Sequence, residues 1–267
     1  MSELNINGNI GTYVSDVLKA SFTVTKVNPV IKSREVIDDF IQQVGEFNRL
    51  SAFNLSDAEE KPKNYFEAIK AYTDMLVDIS KAMQGWTFAY MNSRDPLLHA
   101  WLDAGFIPVE CTESKRGDGS KIFILFKRCG TAEKVDAFVE NKTSQYYKAK
   151  DARVVMSVGE MSPKDLPAEV IGESHTMWNY FGDIIMLEGV EVESTRRSPI
   201  FKNDILREFL VQAGFQWPER LVCIPIDKKD KLRFISAVDA GYVPVNIYQD
   251  SYIFVKSMSW FDFGSKK

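Results

Sequence analysis

Apolar residues recur along this chain in two alternating periods. Between 64 and 84, Tyr65, Ile69, Tyr72, Leu76, Ile79 and Met83 stand four or three apart, with charged residues between them. That spacing lays one apolar stripe along a helix and predicts a helix over 64–84, with Gly85 in the usual place past its end. A matching segment runs over 200–213, where Ile205, Leu206, Phe209 and Leu210 make the stripe, Pro199 suits a first turn and Gly214 closes it. Short apolar runs at 22–27, 87–91, 154–158, 184–192 and 221–226 read as strands. Further helices are predicted over 33–50, 96–104, about 163–181 and 229–240. Strands alternating with helices, followed by a late antiparallel hairpin, specify a mixed α/β sheet rather than a bundle or a sandwich.

The chain also repeats itself. Residues 103–109 read DAGFIPV and residues 239–245 read DAGYVPV, identical at five of seven positions and 136 residues apart. Downstream, Phe123-Ile124-Leu125-Phe126-Lys127 matches Tyr252-Ile253-Phe254-Val255-Lys256. Upstream, Pro29 and Glu35-Val36-Ile37 match Pro163 and Glu169-Val170-Ile171. Matched stations in one order, at offsets of 129 to 136, point to an internal duplication. This reading places an N-terminal arm at 1–19, a first domain at 20–130, a polar linker at 131–151, a second domain at 152–258 and a tail at 259–267.

Composition narrows the classes open to it. The 267 residues are 45% hydrophobic and 26% charged, an ordinary globular balance. Acidic residues outnumber basic ones, 37 to 33, which argues against a protein that coats nucleic acid, since phosphate binding wants a cationic footprint. No run of 18 apolar residues is present, so no membrane span is expected, and the N-terminus carries no basic-then-apolar secretory pattern. Cys111, Cys129 and Cys223 are dispersed, which fits reduced thiols in the cytoplasm, or in a virus assembling there, and neither a disulfide frame nor a metal site.

Other features add little chemistry. His99 and His175 sit at no recognised spacing from a Ser or Cys nucleophile. Gly8 and Gly11 lack the flanking strand and Lys-Ser/Thr of a phosphate loop. The RGD triplet at 116–118 reads as a hairpin turn. The tail concentrates Trp260, Phe261 and Phe263, which either fold back or dock on a partner.

In the second half, VEVESTRRSPIFKNDILREFL overlays without gaps the strand, R/Q-x-x-G-x-G/A turn and leucine-paired helix of the GNAT superfamily, the acyl-CoA N-acyltransferases. AVDAGYVPV and WLDAGFIPV look like the short helix, Gly-Phe and strand that follow in that family. The resemblance covers about the last 75 residues of the second domain and mainly 64–128 of the first. It implies two tandem domains of that fold. It also implies a cofactor turn at Arg196, Arg197, Ser198 and Lys202, with Glu191 or Glu193 as the general base that deprotonates an amine before it attacks acetyl-CoA.

The chain departs from that pattern where the chemistry resides. The family's turn glycines let backbone amides approach a pyrophosphate at a helix N-terminus; the aligned positions here are Ser198, Ile200 and Lys202. The first domain has SDAEEKPKN there, whose three acidic residues repel a polyanion. The position of the family's general-acid tyrosine holds Trp101 and Ala237, neither of which can protonate a thiolate. The plainer reading of Glu191 and Glu193 is a solvent-facing row on an amphipathic strand. The expectation is therefore a non-catalytic tandem module, without cofactor, serving a structural or protein-interaction role through its arm and tail in an oligomer or larger assembly such as a virion. The alternative is an acyl-CoA-dependent N-acetyltransferase with its site in the second domain.

Overall fold

The first fourteen residues already form a hairpin. Strands β1 (Glu3–Asn7) and β2 (Ile10–Val14) pair antiparallel, with Asn7 opposite Ile10 across the two-residue loop Gly8-Asn9. Gly8 takes φ +60°, the conformation such loops require and glycine accepts without strain. In this computed structural model the described residues are 2–31, 35–58, 61–113, 119–132, 134–135, 137–141, 144–149, 151–167, 170, 178–217 and 220–258. They divide into two units, one built on 1–32 and 44–131, the other on 33–43 and 132–258.

Three further elements bring the chain to the middle of the first sheet: β3 (Leu18–Lys26), helix α1 (Glu35–Val44) and β4 (Asn48–Asp57). After them come α2 (Tyr65–Ala82), β5 (Gly85–Asn92), α3 (Leu98–Asp103), β6 (Ile107–Glu113) and β7 (Lys121–Cys129). The sheet order is β1-β2-β3-β4-β5-β7-β6, and β4–β5 is the parallel pair between antiparallel flanks. Along α2, Tyr72, Leu76, Ile79 and, just past its end, Met83 are buried as the stripe predicts, whereas Ile69 is half-buried and Tyr65 in the first turn is 51% exposed; each buried side chain contributes about 1.5–3 kcal/mol.

The second unit contains β8 (Phe138–Asn141), β9 (Ser144–Lys148), β10 (Ala152–Met161), β11 (Ile184–Ser194), α4 (Pro199–Gln216), β12 (Val222–Asp227), α5 (Lys231–Asp239), β13 (Val243–Tyr248) and β14 (Ser251–Lys256). Its sheet runs β8-β9-β10-β11-β12-β14-β13, again with one parallel pair, β11–β12. The architecture is mixed α/β in both units, with one strand order used twice.

The repeat reaches into irregular detail. The β3–β4 ladder slips between Ser21 and Thr23, and the β10–β11 ladder slips between Val155 and Ser157. The bulges on the facing strands put Ala52 at φ +53° and Gly189 at φ +57°. A second slip lies after Pro108 in β6 and after Pro244 in β13. Tyr13 and Tyr147 are both buried at matching places in the second strand of each unit.

Several boundaries differ from the sequence reading. Residues 1–19 are no arm: β1 and β2 are hydrogen-bonded onto β3, and Ser2 Oγ donates to Asp78 on α2 at 2.9 Å. Residues 131–151 are no linker, because β8 and β9 are the first strands of the second sheet. Helix α1 stops at Val44, where Gly45 turns with φ +79°, and its contacts group 33–43 with the second unit rather than the first. Gly214 does not close α4, which runs on to Gln216; a Cβ there would come within 2.7 Å of Met258 and 3.2 Å of Lys256, so the glycine serves close packing. The RGD triplet, His175 and the aromatic tail lie outside the described residues, as do 168–169 and 171–177 of the helix expected near 163–181, whose described ends form short 3-10 turns at Pro163–Asp165 and Asn179–Phe181.

Candidate functional site

In each unit the chain opens a gap at the centre of its sheet. Strands β4 and β5 share parallel ladder only at Asn48↔Thr87 and Arg49↔Phe88, and β11 and β12 only at Ile185↔Val222 and Met186↔Cys223. Beyond those rungs the strands part, and the bulges at Ala52 and Gly189 fall on the diverging stretch. Bulges re-aim side chains and free backbone groups from the ladder. This makes the gap, with the helix N-termini beside it, the place to look for chemistry.

Side chains from the neighbouring helices meet the bulged strand in both units. In the first, Phe53 follows the bulge on β4 and meets Trp101 of α3 edge-on at 5.6 Å and Tyr72 of α2 at 5.9 Å, while Phe22 stacks on its other side at 5.5 Å. Such aromatic pairs add about 0.5–1.5 kcal/mol beyond area burial. Burial, with the nearby charge of Asp95 adding, raises the Tyr72 hydroxyl above the usual phenol range, so it stays neutral. In the second unit Arg233, on α5, donates from Nη1 to the bulge carbonyl of Val190 at 2.9 Å and is held by Asp230 at 3.1 Å. Asp230 in turn caps α5 by accepting from Arg233 N.

The helix starts beside the gaps are largely self-satisfied. On α4, Pro199 occupies N1 and has no amide proton, and Ser198 Oγ accepts from Phe201 N at 3.4 Å. Ile200 is 72% exposed at that turn. On α2, Asn64 Oδ1 accepts from Glu67 N at 3.0 Å while the Glu67 carboxylate accepts from Lys63 N, so the chain's own anion sits at the positive end of the helix.

The residues singled out from sequence scatter around α4. Arg196 is committed to Asp151 at 2.6 Å and lies over the Phe201 ring at 4.7 Å. Arg197 is exposed and Lys202 half-buried near the same turn. Glu193 pairs with Arg153, and Glu191 points to solvent opposite Val155 in the ladder, so these carboxylates lie on the open face of β11. Trp101 and Ala237 are fully buried, and His99 is exposed on α3. Among the described residues no cluster of three His, Cys, Asp or Glu could hold a metal ion, and no helix is long and apolar enough to cross a membrane. Sequence reasoning missed Phe53 and Arg233. The signal for Arg233 was its place three residues after the helix-capping Asp230; nothing local marks Phe53. Comparison of the chain with protein families, curated proteins and solved structures finds no match.

Proposed function

We propose that this protein is a non-catalytic tandem module, similar in plan to acyl-CoA N-acyltransferases, that works as a structural or protein-interaction subunit of a larger assembly. The observation that carries this reading is that the bulged strand beside each gap is already engaged from a helix, Phe53 by Trp101 and the Val190 carbonyl by Arg233. A pantetheine arm laid between parted strands needs that space and needs bulge backbone to bond with. The helix starts support the same conclusion, since Pro199, Ser198 and Glu67 remove or occupy amides that a pyrophosphate would use. Titrating the full chain with acetyl-CoA in a calorimeter tests the reading: no heat up to millimolar ligand is expected. Micromolar binding, about −8 kcal/mol, refutes it.

The second reading, an acyl-CoA-dependent N-acetyltransferase acting through the second unit, draws support from the short two-rung ladder of β11–β12 and from Arg197 and Lys202 near the start of α4. Under it Glu191 or Glu193 serves as base. Arg197→Glu then abolishes acetyl-CoA binding that the unaltered chain shows.

A further inference from the structure

The first sheet has an open edge at β1. This strand bonds to β2 alone, in an unbroken register from Glu3↔Val14 to Asn7↔Ile10, and no other described strand lies beyond it. Its neighbours fix which groups face outward. Ser15 N donates to Leu18 O and Val24 N to Asn9 O, so the odd-numbered residues of β2 bond to β3. The even-numbered Ile10, Thr12 and Val14 therefore bond to Asn7, Asn5 and Glu3. That leaves the N–H and C=O groups of Leu4 and Ile6 directed along the free edge. Sheet edges commonly carry a guard against pairing, such as a proline, a bulge or a charge. At the far edges β6 slips register after Pro108 and β13 after Pro244. In β1 there is no proline and no slip, and the single charge, Glu3, stands at its start.

The edge also matches itself. Two copies of β1 set antiparallel about a two-fold axis at Asn5 bring Leu4 opposite Ile6 and Ile6 opposite Leu4. Their outward groups then make four backbone hydrogen bonds. The half-buried Leu4 and Ile6 share the face of buried Tyr13, so apolar meets apolar there. On the exposed face Asn5 meets Asn5, and Glu3 stands opposite Asn7 rather than another carboxylate. We propose that β1 pairs in this way with β1 of a second copy, joining two first-unit sheets edge to edge in an isologous dimer. The strand is already extended, so pairing needs no rearrangement of the backbone. Five-residue strands bury little area, and the dimer is accordingly a weak one. The pairing builds on the reading of the chain as an assembly subunit and names its partner, while acyl-CoA titration does not bear on it.

Sedimentation equilibrium of the full chain and its variants tests the pairing. Ile6→Pro removes the outward amide and keeps every bond to β2. It takes two of the four bonds from the dimer and is expected to weaken it roughly tenfold. Asn5→Lys and Asn5→Asp, on the exposed face, each set like charges opposite one another at the axis. An equal mixture of the two is expected to hold roughly threefold more dimer than either alone. In the unaltered chain the Leu4 and Ile6 amides are expected to gain protection from hydrogen exchange as concentration rises. A chain that stays monomeric up to millimolar concentration overturns the proposal. So does a dimer that these variants leave unchanged, or one whose Leu4 and Ile6 amides stay open. Should Ile6→Pro fail to fold, the mixture of Asn5 variants decides, because Asn5 is exposed in the single chain.

Discussion

Lys256 ends the last strand of the second sheet with its ammonium 2.8 Å from the carbonyl of Ala240, the residue that closes α5. Lys127 does the same to Ala104 at the end of α3, at 2.5 Å. Each cation also lies near the face of the aromatic that follows the helix, 5.5 Å from the Tyr242 centroid and 6.0 Å from that of Phe106. A helix C-terminus carries carbonyls without intrahelical partners and a partial negative charge, so a lysine is the fitting cap. The repeated DAG block and the lysine on each unit's last hairpin strand are therefore parts of one device: Gly105 and Gly241 turn the chain at φ +85° and +87°, the aromatic tucks under, and the lysine caps the helix end.

Lys256 is only 8% exposed, whereas Lys127 is half-buried. Lys256→Met is expected to cost about 2 kcal/mol, since it removes a charge-assisted bond from buried carbonyls. Lys127→Met is expected to cost less. Urea unfolding of both variants checks the order, and equal losses would break the argument.

How far the fold could be read beforehand follows from where the signal sits. Stripes of three-and-four spacing placed α2 and α4, and the Gly-aromatic blocks placed α3 and α5, because those patterns are local. The hairpins β1–β2 and β8–β9 escaped, although Gly8-Asn9 is a two-residue hairpin loop and Leu4 and Ile6 alternate with polar neighbours; their polar composition outweighed the turn chemistry. The grouping of α1 with the second unit was invisible, since an amphipathic helix does not declare which face it meets. Near the candidate site, the helix start at Ser198-Pro199 was legible from its first-turn proline. What meets the bulged strand was not, because the Phe53–Trp101 contact joins residues remote in sequence.

Tyr242 and Phe106 occupy corresponding places, both fully buried, but the Tyr242 hydroxyl has no hydrogen-bond partner among the described residues. A buried polar group left unpaired costs about 1–3 kcal/mol. Tyr242→Phe is expected to raise stability by about 1 kcal/mol, seen as a higher urea midpoint at unchanged slope. A loss would mean the hydroxyl is satisfied in solution.

The two bulges differ in one respect. Ala52 holds a left-handed backbone with a side chain, while Gly189 holds it with none and has open space where a Cβ would stand. Ala52→Gly is expected to stabilise by about 0.5–1 kcal/mol and Gly189→Ala to destabilise by about 1 kcal/mol. Opposite signs in thermal melts of the two variants confirm the relation.

Gly11 faces Phe22 across β2 and β3, and a Cβ there would lie 2.1 Å from the ring. Phe22 is itself buried and stacked on Phe53, so it has little room to yield. Gly11→Ala is expected to cost about 2–3 kcal/mol, and near-neutral denaturant unfolding would show that the ring moves freely.

Alkali should unfold this chain early. Burial pushes the Cys223 thiol up to about 12, and burial with the charge of Asp78 pushes Tyr13 up to about 12. Tyr147, Tyr242 and Tyr252 are raised as well, burial first in each case. The folded chain keeps these protons, whereas the unfolded chain releases them from about pH 8.5 for the thiol and about pH 10 for the phenols. Their stabilising contribution is therefore whole below about pH 8.5 and is lost as the pH climbs toward 12. Urea midpoints should hold from pH 7 to 8 and fall steeply above 9; a midpoint unchanged at pH 11 would contradict this.

The two-rung ladders at the centre of each sheet carry a mechanical corollary. Four strands on one side and three on the other are stitched by backbone bonds only around Asn48–Arg49 in the first unit and Ile185–Met186 in the second. Amides along these seams should exchange with solvent sooner than those in the long β5–β7 and β12–β14 ladders. A load applied across either sheet will tear it down the middle before its rims fray.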